Sequence, residues 1–230
     1  MTYVGQYITR KKTMANASTT GFGLRMVMNV GNTPATSGQS EYQMQTAPGV
    51  ATNKGDPVSI QDAGGAQGFL QDASFTTTDD TGNGGTAWTT ANSALLAGVF
   101  NGAFFIDPSG KPTFANNIVA GQTTSTDYNT GSNNILCFVN DNPFQEYVVK
   151  ADAAVTQAAI AAQAANYNTN NYTATANLNG QSITTLDIGS AAATSMFKIV
   201  RSANDPENND LTVAGGNVVV AIAQQSGLYS

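Results

Sequence analysis

The chain has 230 residues, 41 % of them apolar but only 10 % charged, with a formal net charge of -6 and a pI near 4.3; an ordinary domain carries ~25 % charged residues. Its polarity therefore comes from Asn, Thr, Gln, Ser and Gly, which favour turns and strands over helices. The acidic balance argues against a protein that coats nucleic acid, no apolar run approaches the ~20 residues that span a bilayer, and a single cysteine excludes a disulfide framework within the chain.

Residues 1–50 have little periodicity. Phe22 to Met28 is the one strand-like stretch, and Thr33-Pro34-Ala35-Thr36-Ser37-Gly38 typifies the surrounding loops. This predicts an extended, loosely packed N-terminal arm over 1–50 that docks on a partner. Arg10, Lys11 and Lys12, three of nine basic residues, suit an acidic surface, with a solvated terminus as the alternative. Met1 to Gly5 lack a basic region followed by an apolar stretch, so the expectation is a protein made in a cytoplasm and not exported by a classical signal.

From residue 51 short apolar runs alternate with turn clusters, predicting a β domain over 51–140 and a second β lobe over 141–230, continuous with the first or separate. Pro57 to Ile60 and Phe69-Leu70 read as strands. Leu95 to Phe100 and Ala103 to Ile106 flank Asn101-Gly102, a strong hairpin signal. Asp107-Pro108-Ser109-Gly110-Lys111-Pro112 has the residues of a tight turn. Further strands are expected at 135–139, 145–150, 195–200 and 217–223, with Asp141-Asn142-Pro143 punctuating two of them. The only helical candidate is the alanine-rich 153–165, whose Val155 and Ile160 do not form a good stripe. The expected fold is mainly β, a barrel or sandwich with long loops, an extended arm and at most one or two short helices.

The chemistry available to such a chain is narrow. It has no histidine, which removes Ser-His-Asp and Cys-His constellations and His-containing zinc sites. Cys137 lies in the apolar run Ile135 to Val139 and reads as a buried small hydrophobe. The Gly-rich pieces at 64–68 and 82–85 match no phosphate-cradling motif. Asp79-Asp80 and the Asp205, Glu207, Asp210 group are the candidates for a paired-carboxylate glycosidase, and Asp79 and Asp80 for a calcium loop. Neither group has aromatic density around it, and each reads first as a surface loop. No cofactor and no metal is expected.

Three segments resemble a family of tailed-bacteriophage structural proteins that decorate the capsid. One comprises Lys54-Gly55-Asp56-Pro57-Val58, Leu96-Ala97-Gly98-Val99-Phe100-Asn101-Gly102 and Phe105-Ile106-Asp107-Pro108-Ser109-Gly110-Lys111-Pro112. A second runs from Cys137 through Asp141-Asn142-Pro143-Phe144 to Asp152, with Asn142 where the family has a second Asp. The third joins Asn166-Tyr167, Asn179-Gly180-Gln181-Ser182, Phe197-Lys198-Ile199-Val200 and Asp205-Pro206-Glu207-Asn208, with Ala165 in place of the family's Gly and no terminal histidine strand. The resemblance covers roughly 50–230 and implies a non-enzymatic virion protein on the outer surface of an icosahedral phage head, cementing neighbouring capsomers. Its implied partners are the major capsid protein and further copies of itself, with trimers natural at local three-fold axes, and neither nucleic acid nor membrane. Tyr3, Tyr7, Arg10, Lys11, Lys12, Phe22, Arg25 and Met26 are the expected capsid-interface residues. The alternative is a head-fibre or tail-associated adhesion module binding host surface glycans, for which Tyr167 and Tyr172 are the aromatic candidates.

Overall fold

In chain order the strands are β1 (Arg25–Asn29), β2 (Thr33–Pro34), β3 (Ser40–Met44), β4 (Thr52–Asn53), β5 (Pro57–Ile60), β6 (Leu70–Asp72), β7 (Leu96–Ile106) and β8 (Pro112–Ala115). They continue with β9 (Asn117–Ile118), β10 (Ile135–Asn140), β11 (Gln145–Lys150), β12 (Asn166–Thr169), β13 (Leu186–Ala192), β14 (Phe197–Ser202) and β15 (Asn217–Ile222), with a short helix, α1 (Gln157–Ala162), before β12. The computed structural model describes residues 16–31, 33–35, 38–60, 68–72, 96–126, 135–162, 166–169, 179–192 and 195–223.

The first sheet has the order β13-β12-β14-β15-β11-β1-β2 and the second the order β3-β10-β7-β5-β6, with β8 also on β7; β4 and β9 form a small pair. The ladders within both sheets are antiparallel. The fold is thus mainly β and sandwich-like. It is not a closed barrel: β3 and β6, the ends of the second sheet's order, come near one another, but no ladder joins them among the described residues.

Alternation sorts the side chains. In β11, Tyr147 and Val149 point inward while Glu146, Val148 and Lys150 point outward, and Val218 and Val220 of β15 continue the inner row. These join Phe197, Ile199, Leu186, Val155 just before α1 and Ile160 within it, and are met by Leu96 and Val99 of β7 and by Leu24. A second core gathers on the other face of β7, where Ala97, Phe100, Ala103 and Phe105 meet Val58, Ile135, Cys137, Val139, Met44 and Ile118. Strand β7 therefore separates two cores.

Two motifs carry the connections between the sheets. In Lys54-Gly55-Asp56-Pro57 the glycine adopts φ +98°, so its carbonyl can take Leu24 N–H (2.8 Å) while its own N–H reaches Phe100 O (2.8 Å). Lys54 N–H donates to Gly180 O and Lys54 O accepts from Ser182 N–H, which ties in the Asn179-Gly180-Gln181-Ser182 segment. At Asp141 to Phe144 the chain passes from the second sheet to the first. Asn142 Oδ1 accepts from Phe144 N–H (3.0 Å), Asp141 accepts from the Tyr42 hydroxyl (3.0 Å), and the Tyr147 hydroxyl donates back to Asn140 O (3.0 Å).

Two expectations change. Residues 25–44 are not a loose arm: β1 pairs with β11, β2 with β1, and β3 with β10, so this stretch supplies strands to both sheets. Residues 1–15 lie outside the described residues. Asn101-Gly102 is not a hairpin. β7 runs through it as one strand, with a bulge opposite Phe138 and Val139 and Gly102 at φ +146°, because β8 and β10 pair on either side and hold it extended. The alanine tract gives the one short helix expected of it, Gln157–Ala162 among the described residues, begun where the Thr156 hydroxyl accepts from Ala159 N–H (3.0 Å).

Candidate docking surfaces

The face of the second sheet opposite its core is where a solvated antiparallel sheet is ordinarily polar. Here it carries a row of large apolar side chains. Leu136 of β10 lies opposite Phe104 of β7, and Phe104 lies opposite Phe114 of β8. The two phenylalanine rings stack at 4.7 Å between centroids, tilted by 45°, yet Phe114 is 76 % exposed. Phe138 faces the same way, opposite Gly102, and the missing side chain leaves a depression of about 220 Å³ lined by Asn101, Gly102, Phe114, Asn116 and Phe138. Gly102 cannot be filled cheaply: a Cβ there would sit 3.2 Å from Ala115 O on a left-handed backbone. An apolar row crossing three strands is the kind of patch that marks a contact surface.

The outer face of the first sheet holds a different surface. Arg25, Val148, Val219 and Arg201 form one row across β1, β11, β15 and β14. They lie in an open groove of about 690 Å³, rimmed by Ser18, Thr20, Phe22 and Asp205. Two bulges build it. Val200 is the extra residue in β14 and Val27 in β1, and each reverses the alternation beyond it, turning Arg201 and Met28 outward. The Arg25 guanidinium stacks 4.7 Å over the Phe22 ring, and Arg201 pairs with the buried Glu146 carboxylate.

One end of the groove is closed by a polar clip. The Asn16 amide donates to Asp210 O and Ala214 O (both 2.9 Å), and Ala17 N–H to Glu207 O. Lys150 is only 2 % exposed; its ammonium donates to Ser18 O (2.9 Å), Gly215 O (3.1 Å) and Asn208 Oδ1 (3.2 Å), which satisfies all three protons. Burial holds this amine below its ordinary range, while the Asp205 carboxylate opposes that shift.

Of the expected interface residues, Phe22 and Arg25 line the groove, whereas Met26 faces inward and packs against the first core. Tyr3, Tyr7, Arg10, Lys11 and Lys12 lie outside the described residues, as do Asp79, Asp80 and Tyr172. Tyr167 is buried in the first core. The loop carboxylates hold turns: Asp205 accepts from Glu207 N–H and from the Asn208 and Asn217 amides, and Asp210 accepts from Thr212 N–H and hydroxyl. These donors hold both carboxyls below the ordinary range. Among the described residues no group of three or more His, Cys, Asp or Glu side chains could hold a metal ion.

The chain matches no family model, characterised protein or solved structure in these comparisons. Sequence reading missed the Leu136–Phe104–Phe114–Phe138 row, for which Phe114 between Thr113 and Ala115 in a short edge strand was the only local signal.

Proposed function

We propose that this chain is a structural virion protein that binds the outside of an icosahedral phage head and cements neighbouring capsomers. The observation that carries the reading is the apolar row on the second sheet, half-buried at Leu136, Phe104 and Phe138 and exposed at Phe114, which a protein partner would cover. The residues behind the family resemblance add support. Lys54 to Asp56, Asp141 to Phe144 and Asn179 to Ser182 all act in joining the sheets, so the shared signature is architectural. A bridging protein needs more than one contact surface, and the groove beside Arg25 and Phe22 supplies a second, suited by its guanidinium to an acidic segment of the major capsid protein.

The test is binding of the purified chain to heads that lack it, with Phe114→Asp and Arg25→Glu as variants. The expected result is saturable binding at lattice positions seen by cryo-EM and a raised head-disruption temperature. Phe114→Asp should weaken binding at least tenfold while its own melting stays within a few degrees, because the side chain is exposed. Binding of wild type and Phe114→Asp alike would remove the patch from the interface. No binding to heads at all, with binding to host-surface glycans instead, would establish the adhesion alternative.

A further inference from the structure

We propose that the groove on the outer face of the first sheet binds an extended peptide segment with acidic side chains four residues apart and an apolar one between them. This rests on the reading of the groove as a second contact surface and adds the chemistry of what fills it. The lining holds three cations, Arg25, Lys150 and Arg201, and one carboxylate, Asp205, in a chain whose formal net charge is -6. Asp205 is occupied by the Glu207 N–H and the Asn208 and Asn217 amides, and Lys150 by its three acceptors. The cations left to meet a ligand are Arg25 and Arg201. Among the described residues the one salt bridge is Arg201 with Glu146, so Arg25, exposed on β1, has no carboxylate partner there. Acidic groups are what complete this face.

Both guanidinium groups are held by contacts that leave donors free. Arg25 sits 4.7 Å over the Phe22 ring, a contact made without a hydrogen bond. Arg201 uses only Nη1 on Glu146, and a guanidinium has five N–H donors. Side chains ordered in advance lose less freedom when a ligand arrives. The lining comes from β1, β11, β15 and β14 in turn, so the groove runs across the strands. Along it the Arg25–Val148–Val219–Arg201 row covers three strand spacings, roughly 14 Å. An extended peptide puts residues i, i+2 and i+4 on one face over roughly 13 Å. Carboxylates at i and i+4 therefore fall to the two arginines, and an apolar side chain at i+2 lies over the valine floor, where Val148 is partly exposed. A nucleic-acid strand, with its closely spaced phosphates, would set charge over the valines as well.

The test is fluorescence anisotropy of the purified full chain with a labelled nine-residue peptide that carries glutamate at its third and seventh positions, valine at its fifth and serine elsewhere. Saturable binding is expected, weakening as salt rises. Glutamine in place of both glutamates, or Arg25→Gln in the protein, should each weaken it about tenfold. Exchanging the valine with the second glutamate, which brings the acids two residues apart, should weaken it roughly threefold. Lys198→Gln removes a cation from the same face but outside the lining, and should leave the affinity within about twofold. Absence of peptide binding overturns the proposal, as does binding that survives Arg25→Gln or ignores the spacing of the acids. So does a single-stranded oligonucleotide that binds where the peptide does not. Heads score the capsid reading separately. Peptide binding without uptake by heads keeps the groove's ligand and removes the capsid as its source. Equal uptake of wild type and Arg25→Gln, without peptide binding, keeps the cement reading and overturns this one.

Discussion

Asp56 is the residue whose removal should be felt most for its size. Its carboxylate is buried, accepts from Asn53 N–H (2.7 Å), the Asn53 amide (3.1 Å) and the Thr184 hydroxyl (3.4 Å), and is also hydrogen-bonded by Ser182. The Asn53 N–H and amide are buried, so an acceptor at Asp56 matters to them more than to the hydroxyls, which can rotate. Replacing Asp56 by Ala takes the carboxylate acceptor from two buried Asn53 donors, at about 1–3 kcal/mol for each hydrogen bond lost without replacement. Against this stands the relief of no longer burying a carboxyl. The net expectation for Asp56→Ala is a loss of about 3 kcal/mol, or a melting temperature lower by about 6–12 °C for a chain of this size. Asp56→Asn keeps one acceptor oxygen and should lose about half as much. Urea unfolding followed by tryptophan fluorescence and circular dichroism measures both. The reasoning fails if Asp56→Ala lies within about 0.5 kcal/mol of wild type, the range of a surface substitution.

The same residue predicts a pH dependence. Burial raises the folded-state carboxyl above its ordinary 3.8, so the folded chain favours the protonated form. Its contribution is therefore fully present below the unfolded value and declines as pH rises through the folded one. The stability advantage of wild type over Asp56→Asn should shrink as pH rises above about 4, and an advantage that grew would contradict the assignment. Gly98 lies where β7 passes β10, and a Cβ there would meet Asn140 O at 2.3 Å and Val139 Cγ1 at 2.8 Å. Gly98→Ala should cost about 1–3 kcal/mol by overpacking, seen as an earlier urea midpoint with unchanged slope. Burial pushes the Cys137 thiol up to about 12, so it should resist maleimide in the folded chain and react stoichiometrically once urea unfolds it.

What could be read from the sequence was what short-range chemistry determines. The turn at Asp107 to Lys111 forms as its residues suggest, with Asp107 Oδ1 accepting from Ser109 and Lys111 N–H. The strands at 135–140, 145–150 and 217–222 follow their apolar runs. Asn101-Gly102 misleads because a positive-φ glycine serves a bulge as well as a hairpin, and the choice is made by β8 and β10 from elsewhere in the chain. Strand β1 overlaps the strand-like stretch Phe22 to Met28, but β2 and β3 were illegible for a similar reason. Their own residues alternate weakly, and they are extended because β1 and β10 offer ladders. The candidate surfaces depend on register one step further. The bulge at Val200 decides that Arg201 faces the groove, and the pairing of Phe104 with Phe114 decides that an edge-strand phenylalanine joins an apolar row. The Lys150, Asn208 and Asp205 cluster likewise exists only once the sheet has formed.

The two proposed contact surfaces lie on different sheets, and that separation gives the cement reading a mechanical consequence. A protein that holds capsomers together must transmit load from one contact to the other. Between the phenylalanine row and the Arg25 groove lie the hydrogen bonds around Lys54 to Asp56 and the Asp141 to Phe144 crossing. Binding energy and stiffness should therefore be separable. Phe114→Asp removes an anchor and leaves the junction whole, so heads should take up the chain at least tenfold more weakly. Asp56→Ala leaves both surfaces and weakens the junction, so heads should be decorated to normal occupancy at low temperature yet gain less heat resistance than with wild type. The assay is head disruption against temperature at matched occupancy, counted by quantitative gel and cryo-EM. Equal protection by wild type and Asp56→Ala would mean that the load does not cross the junction and that one sheet alone makes the contacts that matter.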